Sequence, residues 1–237
     1  MAHHNALLIF AHSPTINRGK IDGAFAMLPW EDLDALLTAT IGDFVRNACG
    51  LVNVDILLYR NPQEISDDYF LPFQQRLQLF ELTNAPLTEQ IHAAVENTFQ
   101  RGYQNVVTVL ENNPLLSRTL LRRVFTQLGH EDDCIVVGPT FEGKCFLVGM
   151  KTNHSKIFES TEGDYLSKSM ILIKNICSIE TMLYLLNPIN SIDTTDNLML
   201  LMKNVDEHDK THLEFPSKSY LVFKMLEKKY KLKRISE

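Results

Sequence analysis

Four short polar stretches carry the side chains whose types and spacing could do chemistry. The first is HSPTINRGKID, residues 12–22, where Arg18 and Lys20 alternate with small residues after an apolar run ending at Ala11. Two cations beside exposed backbone N–H groups would make a phosphate clamp, with His12 as a further polar contact. A solvated surface loop has the same composition. The stretch holds neither G-x-x-x-x-G-K-[ST] nor G-x-G-x-x-G, so the P-loop and the Rossmann fingerprint are both excluded. The second stretch is Glu111, Asn112, Asn113 and Pro114, which follows the apolar run 105–110. Polar residues at the carboxyl end of a buried strand are where open α/β sheets bind ligands. Here two neutral amides stand where a metal-using enzyme would place a carboxylate. The third is GPTFEGKCF, residues 138–146, with Glu142 beside Gly143. A carboxylate next to glycine can approach a ligand closely, and the same pair also builds an ordinary hairpin turn. The fourth is SIDTTDNL, residues 191–198, where Asp193 reads as a metal ligand or as a helix N-cap. His92 falls on the polar side of a helix and is expected in solvent. His130, His154, His208 and His212 lack metal-ligand spacing. No catalytic residue follows from these types alone.

The elements that must position these stretches alternate. Residues 6–11 (ALLIFA) read as a buried strand. Residues 29–48 read as a helix with Leu33, Leu36, Leu37, Ile41, Phe44, Val45 and Ala48 on one stripe. Strands follow at 52–59 and 76–82, with a loop at 61–72 between them. Leu87, Ile91, Ala94, Val95, Thr98 and Phe99 mark an amphipathic helix that stops at Gly102. A strand at 105–110, a helix at 117–128 and strands at 134–137 and 145–150 complete the pattern. Helices at 164–176, 194–203 and 217–230 and a strand at 180–186 follow. The order β-α-β-β-α-β-α-β-β, with near-continuous apolar strands, predicts an α/β fold with a mostly parallel central sheet and helices on both faces. In the last helix, Leu221, Val222, Met225 and Leu226 are expected to pack and the lysines to point outward.

Bulk numbers narrow the class. At 237 residues, 45% apolar and 22% charged, the chain has the make-up of a globular domain with a full core. Its net charge of −6 gives nucleic acid no general foothold. Charge is uneven, because residues 217–237 carry +5 and the remainder about −11. A basic end of this kind is most simply the solvated face of a last helix. The four cysteines form no C-x-x-C pair, and three sit in apolar runs, which fits a reduced cytoplasmic protein. The apolar run 6–11 is too short for a signal core or a membrane span.

Taken together, the four stretches resemble a bacterial radical-SAM/selenodomain-associated transferase-like family of uncertain activity. That family has the glycosyltransferase-A-like fold of the nucleotide-diphospho-sugar transferase superfamily. A family opening like FAKAPVPGRVKTRL reads FAHSPTINRGKIDG at residues 10–23, with Phe10, Ala11, Pro14, Arg18 and Lys20 in common. The family's GSDCPDL reads LENNPLL at 110–116, and its GP-x-x-DGGYYLIGL reads GPTFEGKCFLVGM at 138–150. A terminal D-T-P-E-D-L-like signature is matched by residues 193–198. The Gly-Asp-Leu-Gly-Glu-like stretch has become Ala85, Pro86, Leu87, Thr88 and Glu89. The resemblance covers roughly residues 6–202.

No Gly/Ser linker divides the sequence and no internal repeat is seen in it, so a single domain over 1–237 is expected; the resemblance implies a glycosyltransferase-A-like core at 5–202, followed by a C-terminal extension at 203–237 bearing the basic helix. It implies nucleotide or nucleotide-sugar contacts from Ala11, His12, Arg18, Lys20, Asn112 and Asn113, and a metal held by Glu142 and Asp193. In the superfamily the carboxylate after the central strand holds a divalent metal that bridges the phosphates. Asn112 stands there, and its neutral amide would hold Mg²⁺ or Mn²⁺ only weakly. A diverged nucleotide binder with weak or lost transfer is therefore the leading reading. A working metal-dependent glycosyl- or nucleotidyl-transferase and a protein-interaction module are the alternatives. No nucleic-acid or membrane partner is expected, and a homodimer is open.

Overall fold

The computed structural model describes residues 4–11, 28–63, 65–110, 113–130, 132–159, 169–191 and 195–230. Seven strands form one sheet: β1 (Asn5–Ala11), β2 (Val54–Arg60), β3 (Leu77–Glu81), β4 (Asn105–Val109), β5 (Cys134–Pro139), β6 (Cys145–Met150) and β7 (Met182–Leu185). Their spatial order is β3-β2-β1-β4-β6-β5-β7, and every pairing is parallel except the two that β6 makes. The chain runs outward from β1 to β3, then returns to place β4 on the other flank of β1. Strand order therefore reverses between β1 and β4.

The helices are α1 (Trp30–Ala48), α2 (Leu87–Gln100), α3 (Arg118–Leu128), α4 (Ser169–Cys177), α5 (Thr195–Glu207) and α6 (Ser217–Tyr230). They cover both faces. Leu7, Ile9, Ile56, Leu58, Val107 and Val109 pack under α1 and α3. Leu8, Phe10, Leu57, Val106 and Val148 pack under α2 and α4. Successive strand side chains point to opposite faces, so a strand covered on both sides must be apolar throughout. In β1 all six residues from Ala6 to Ala11 are at most 1% exposed. The helix stops follow from local chemistry. The Ser117 side chain accepts the Leu120 N–H at 3.1 Å and caps α3. Gly102 follows α2 at φ 91°, a left-handed value that glycine adopts without strain.

The segment between β2 and β3 is not wholly irregular. Its residues Asp67–Phe73 wind into a 3-10 turn, started by the Ser66 side chain accepting the Asp68 N–H. His92 is not in open solvent. Its Nδ1 lies 3.1 Å from the Ser155 carbonyl, because α2 packs against the turn Ser155–Phe158.

The last helix is rotated from the expected setting. Phe223 and Leu226 are buried, whereas Leu221 is 67% and Met225 43% exposed. At 100° per residue, Leu221 and Met225 sit opposite Phe223. Polar clamps from α1 fix that rotation. Buried Asp43 accepts the Ser219 N–H at 2.7 Å and the Lys218 N–H at 3.3 Å, capping the start of α6. Asp32 holds Lys229 Nζ at 2.7 Å and the Tyr230 hydroxyl at its far end. The lysines of α6 stay at the surface as expected, with Lys218, Lys228 and Lys229 exposed, but three of them are engaged there: Lys229 with Asp32, Lys224 with Asp206 and Glu227, and Lys218 over the Tyr69 ring. A third cluster, with Leu33, Leu36, Leu198, Leu201, Val205 and Phe223, joins α1, α5 and α6.

Candidate functional site

The register of the sheet fixes which segments meet. Ala11 pairs with Arg60, Arg60 with Glu81, Ile9 with Val109, and Val109 with Leu147. Because β6 is antiparallel to both β4 and β5, β5 runs in the direction of β1, β2 and β4, and the β5–β6 turn lies on the same edge as their carboxyl ends. The chain leaves β1 at Ala11, β4 at Val109 and β7 at Leu185, all on that edge. In open α/β sheets the crevice at the carboxyl ends, where strand order reverses, is the ligand site.

Burial of polar groups agrees with this edge. Twelve polar or charged side chains are buried among the described residues, and four of them lie here: Arg60, Asn113, Thr140 and Ser191. Five others, Asp32, Thr40, Asp43, Asn47 and Ser219, sit on α1 or α6, where clamps between those helices explain most of them. A buried polar group is costly unless it is hydrogen-bonded, so a concentration at one edge needs a structural or a functional cause.

Ala11 is buried and small, and it lies beside Arg60 on the same face of the sheet. Asn113 is 7% exposed and builds the turn after β4. Its Oδ1 accepts the Leu115 N–H at 2.9 Å, and its carbonyl accepts the Leu116 N–H at 3.1 Å. That turn delivers the chain to the Ser117 cap of α3.

Glu142 lies on the β5–β6 hairpin, closed by the Thr140 N–H donating to the Lys144 carbonyl at 2.8 Å and by Gly143 at φ 81°. The turn reading of this stretch is therefore correct. Its carboxylate also reaches across to the segment after β7. Oε2 accepts the Ser191 N–H at 2.9 Å, and Oε1 accepts the Asn197 amide at 2.6 Å. Backbone bonds between Phe141 and Ile189, and between Ile189 and Pro139, lace the same two segments together. Burial pushes the Glu142 carboxyl up, but the bonds from Ser191, Asn197 and Thr140 outweigh it and hold the group below its ordinary value. Glu142 thus clasps the start of α5 to the hairpin.

His12, Arg18, Lys20, Asn112 and Asp193 lie outside the described residues. Of the sequence candidates, the structure brings Ala11, Asn113 and Glu142 to one edge. Among the described residues no group of three or more His, Cys, Asp or Glu side chains could hold a metal ion. Arg60 was missed by reading the strand as ending at residue 59. Its signal was present: a charged residue closing an apolar strand at the carboxyl end.

Two other features lie at the opposite edge. His154 Nε2 is 2.7 Å from Asp133 Oδ2, just before β5. An open cleft of about 550 Å³ is lined by Gln127, His130, Asp132, Cys134, Met182 and Tyr184, at the amino ends of β5 and β7. Its size exceeds its claim, because its lining is shallow and mostly exposed, with only Cys134 buried. No helix of the described residues is long and apolar enough to cross a membrane.

Comparison with known proteins bears on the fold. A family model described as "Uncharacterized protein conserved in bacteria (DUF2064)" matches residues 44–162. No curated protein matches the sequence. Among solved structures, a candidate nucleotide-diphospho-sugar transferase from Desulfovibrio desulfuricans G20 superposes with a TM-score of 0.76 at 15% identity, covering 95% of this chain and 96% of that one. A 4-diphosphocytidyl-2C-methyl-D-erythritol synthase from Anaerococcus prevotii DSM 20548 gives 0.57 at 9% identity, covering 85% and 96%. At such identities the likeness is one of fold.

Proposed function

We propose that this chain, which belongs to the DUF2064 family of uncharacterized proteins conserved in bacteria, binds a nucleotide or nucleotide-sugar at the carboxyl edge of its sheet, with metal-dependent transfer weakened or lost. The observation that carries the reading is the gathering of buried Arg60, Asn113, Thr140 and Ser191 at the one edge where strand order reverses. The fold it shares with the D. desulfuricans protein supports a nucleotide-sugar over other small ligands. Ala11, His12, Arg18, Lys20, Asn112 and Asn113 are the contacts proposed for the nucleotide.

Two observations support weakened metal use. Asn112 supplies an amide oxygen but no negative charge for Mg²⁺ or Mn²⁺. Glu142, the carboxylate proposed as a ligand together with Asp193, already accepts hydrogen bonds on both oxygens. It fits a metal poorly while it holds Ser191 and Asn197, and no step is drawn through a metal here.

The test is a thermal-shift series with nucleoside mono-, di- and triphosphates and nucleotide-sugars, each with and without MnCl₂. A ligand at a hundred times its Kd stabilises by about 2.7 kcal/mol. For a chain of this size that corresponds to a rise of about 5–10 °C. The expected result is a rise that metal does not enlarge. Absence of any shift across the panel overturns the reading, and a rise that requires Mn²⁺ favours a working transferase.

A further inference from the structure

We infer that the outer edge of β7 is a self-association surface, on which a second copy of this chain pairs antiparallel about a two-fold axis through Tyr184. β7 ends the order of the sheet, so one of its sides meets no other strand. The ladder fixes which backbone groups face that side. The Met182 N–H donates to the Asp133 carbonyl at 3.4 Å, and the Leu186 N–H to the Val137 carbonyl at 2.9 Å. Backbone groups alternate sides along a strand. The N–H and C=O of Met182 and Tyr184 therefore face β5, and those of Leu183 and Leu185 face outward. An outward row of this kind is a template for another strand.

Exposure and charge set this edge apart from the opposite one. Met182 is 42%, Tyr184 36% and Leu185 58% exposed, and no charged residue stands between Glu180 and Asp193. Edge strands are ordinarily blunted by charge. At the far edge, β3 has Arg76 just before it and Glu81 as its last residue, and its Gln78 side chain accepts from Arg101 at 2.6 Å. β3 is guarded and β7 is not, so pairing through β7 closes a dimer and does not propagate.

The strand is complementary to itself. With Tyr184 on the axis, Leu183 of each copy stands opposite Leu185 of the other. Both residues face outward, so each such pair exchanges two N–H···O bonds and every outward group of the two is used. Moving the axis to Leu183 would set Leu185 opposite Thr181, whose N–H already donates to the Ile179 carbonyl at 2.9 Å. Moving it to Leu185 would set Leu183 opposite Asn187, beyond the end of β7. Tyr184 meets its own copy as the close, non-hydrogen-bonded pair, on the face where it and Met182 line the open cleft with Gln127 and His130. Glu180 falls opposite Pro188, so this register brings no like charges together. Three exposed apolar side chains on each copy make a small interface, which fits a reversible dimer.

The experiment uses the full chain without ligand. Sedimentation velocity of wild type between about 1 and 200 μM should show a monomer–dimer equilibrium, as an interface below the standard size gives. Tyr184→Lys sets two ammonium groups opposite each other on the axis and should weaken dimerisation about tenfold or more, with an unchanged circular dichroism spectrum. Cross-linking decides the register, in a Cys177→Ser background because Cys177 is exposed. Tyr184→Cys should form an intermolecular disulfide under mild oxidant, since Cα atoms of such a pair stand about 4.5 Å apart, within reach of an S–S bond. Met182→Cys should not, because its two copies would be separated by about 13 Å along the strands. Wild type that stays monomeric at about 200 μM overturns the inference. So does a Tyr184→Lys protein that dimerises as wild type does, or Met182→Cys cross-linking as readily as Tyr184→Cys. The cross-linking pair settles the matter even if Tyr184→Lys fails to fold.

Discussion

A single carboxylate on α1 shows how much one residue can hold. Asp43 is fully buried, accepts three hydrogen bonds from the start of α6 and lies 3.5 Å from Arg46. Asp43→Ala would leave two N–H groups and a hydroxyl at the start of α6 without their acceptor and take the carboxylate away from Arg46. Loss of the cap and of buried bonds together should cost about 2–4 kcal/mol, read as a lower urea midpoint at unchanged slope. Asp43→Asn keeps an acceptor oxygen and should lose less. Equal losses for the two substitutions would mean that charge, not hydrogen bonding, carries the effect. Asn112 is the residue that tests the proposed weakening of metal use. Asn112→Asp should raise Mn²⁺ affinity in the nucleotide complex about tenfold, or ~1.4 kcal/mol, after desolvation has offset most of the added attraction. Isothermal titration of metal into nucleotide-saturated wild type and variant decides this. Micromolar Mn²⁺ binding by wild type, unimproved by the added carboxylate, would show that the site was never degenerate.

At the scale of elements, the hairpin and α5 are held together by Glu142. The linkage sign follows from its depressed pKa. A carboxyl held below its ordinary 4.5 contributes stability that is present above that pH and is lost as the pH falls through the folded value. Comparison of wild type with Glu142→Gln by urea unfolding should therefore show a gap at pH 6 that narrows progressively below pH 4.5. Hydrogen exchange in the first turn of α5 should quicken in the variant at pH 6. A gap independent of pH would sink the clasp. The rotation of α6 makes a second test. Leu221→Ser, at an exposed position, should change stability by no more than about 0.5 kcal/mol. Phe223→Ala should cost about 3–5 kcal/mol, the range for emptying a buried aromatic site. The reverse ranking would restore the stripe read from sequence.

Over the whole molecule, α6 is not a free basic tail. It closes the cluster of Leu33, Leu36, Leu198, Leu201 and Val205, and it supplies the partners of buried Asp32 and Asp43. Removing residues 217–237 should expose that apolar cluster and strand both carboxylates. The truncated chain is expected in the insoluble fraction, or as an aggregate on size exclusion with a broad thermal transition. A soluble, monomeric truncation with an unchanged melting temperature would place α6 outside the cooperative unit. Part of the uneven charge fits this arrangement, since Lys229 and Lys224 of α6 meet acidic groups of α1 and α5.

Sequence by itself determined the element order and the class of fold. Apolar runs such as residues 6–11, bounded by polar stretches, fit a strand covered on both faces. Stripes such as Ile91, Ala94, Val95 and Thr98 fit a helix with one face on the core. Those signals are local, and the observed order of strands and helices follows them through β6. Of the candidate side chains, Ala11, Asn113 and Glu142 lie at the carboxyl edge that the strand–helix alternation pointed to. What the tertiary structure decided is which way side chains face and whom they meet. The setting of α6, with Phe223 and Leu226 inward and Leu221 and Met225 outward, depends on Asp32 and Asp43, 175 or more residues away in sequence. Glu142 finds Ser191 only because β5 and β7 pair in parallel, which brings the hairpin beside the segment after β7. No local pattern encodes such meetings, for they are set by distances between elements rather than by spacing along the chain.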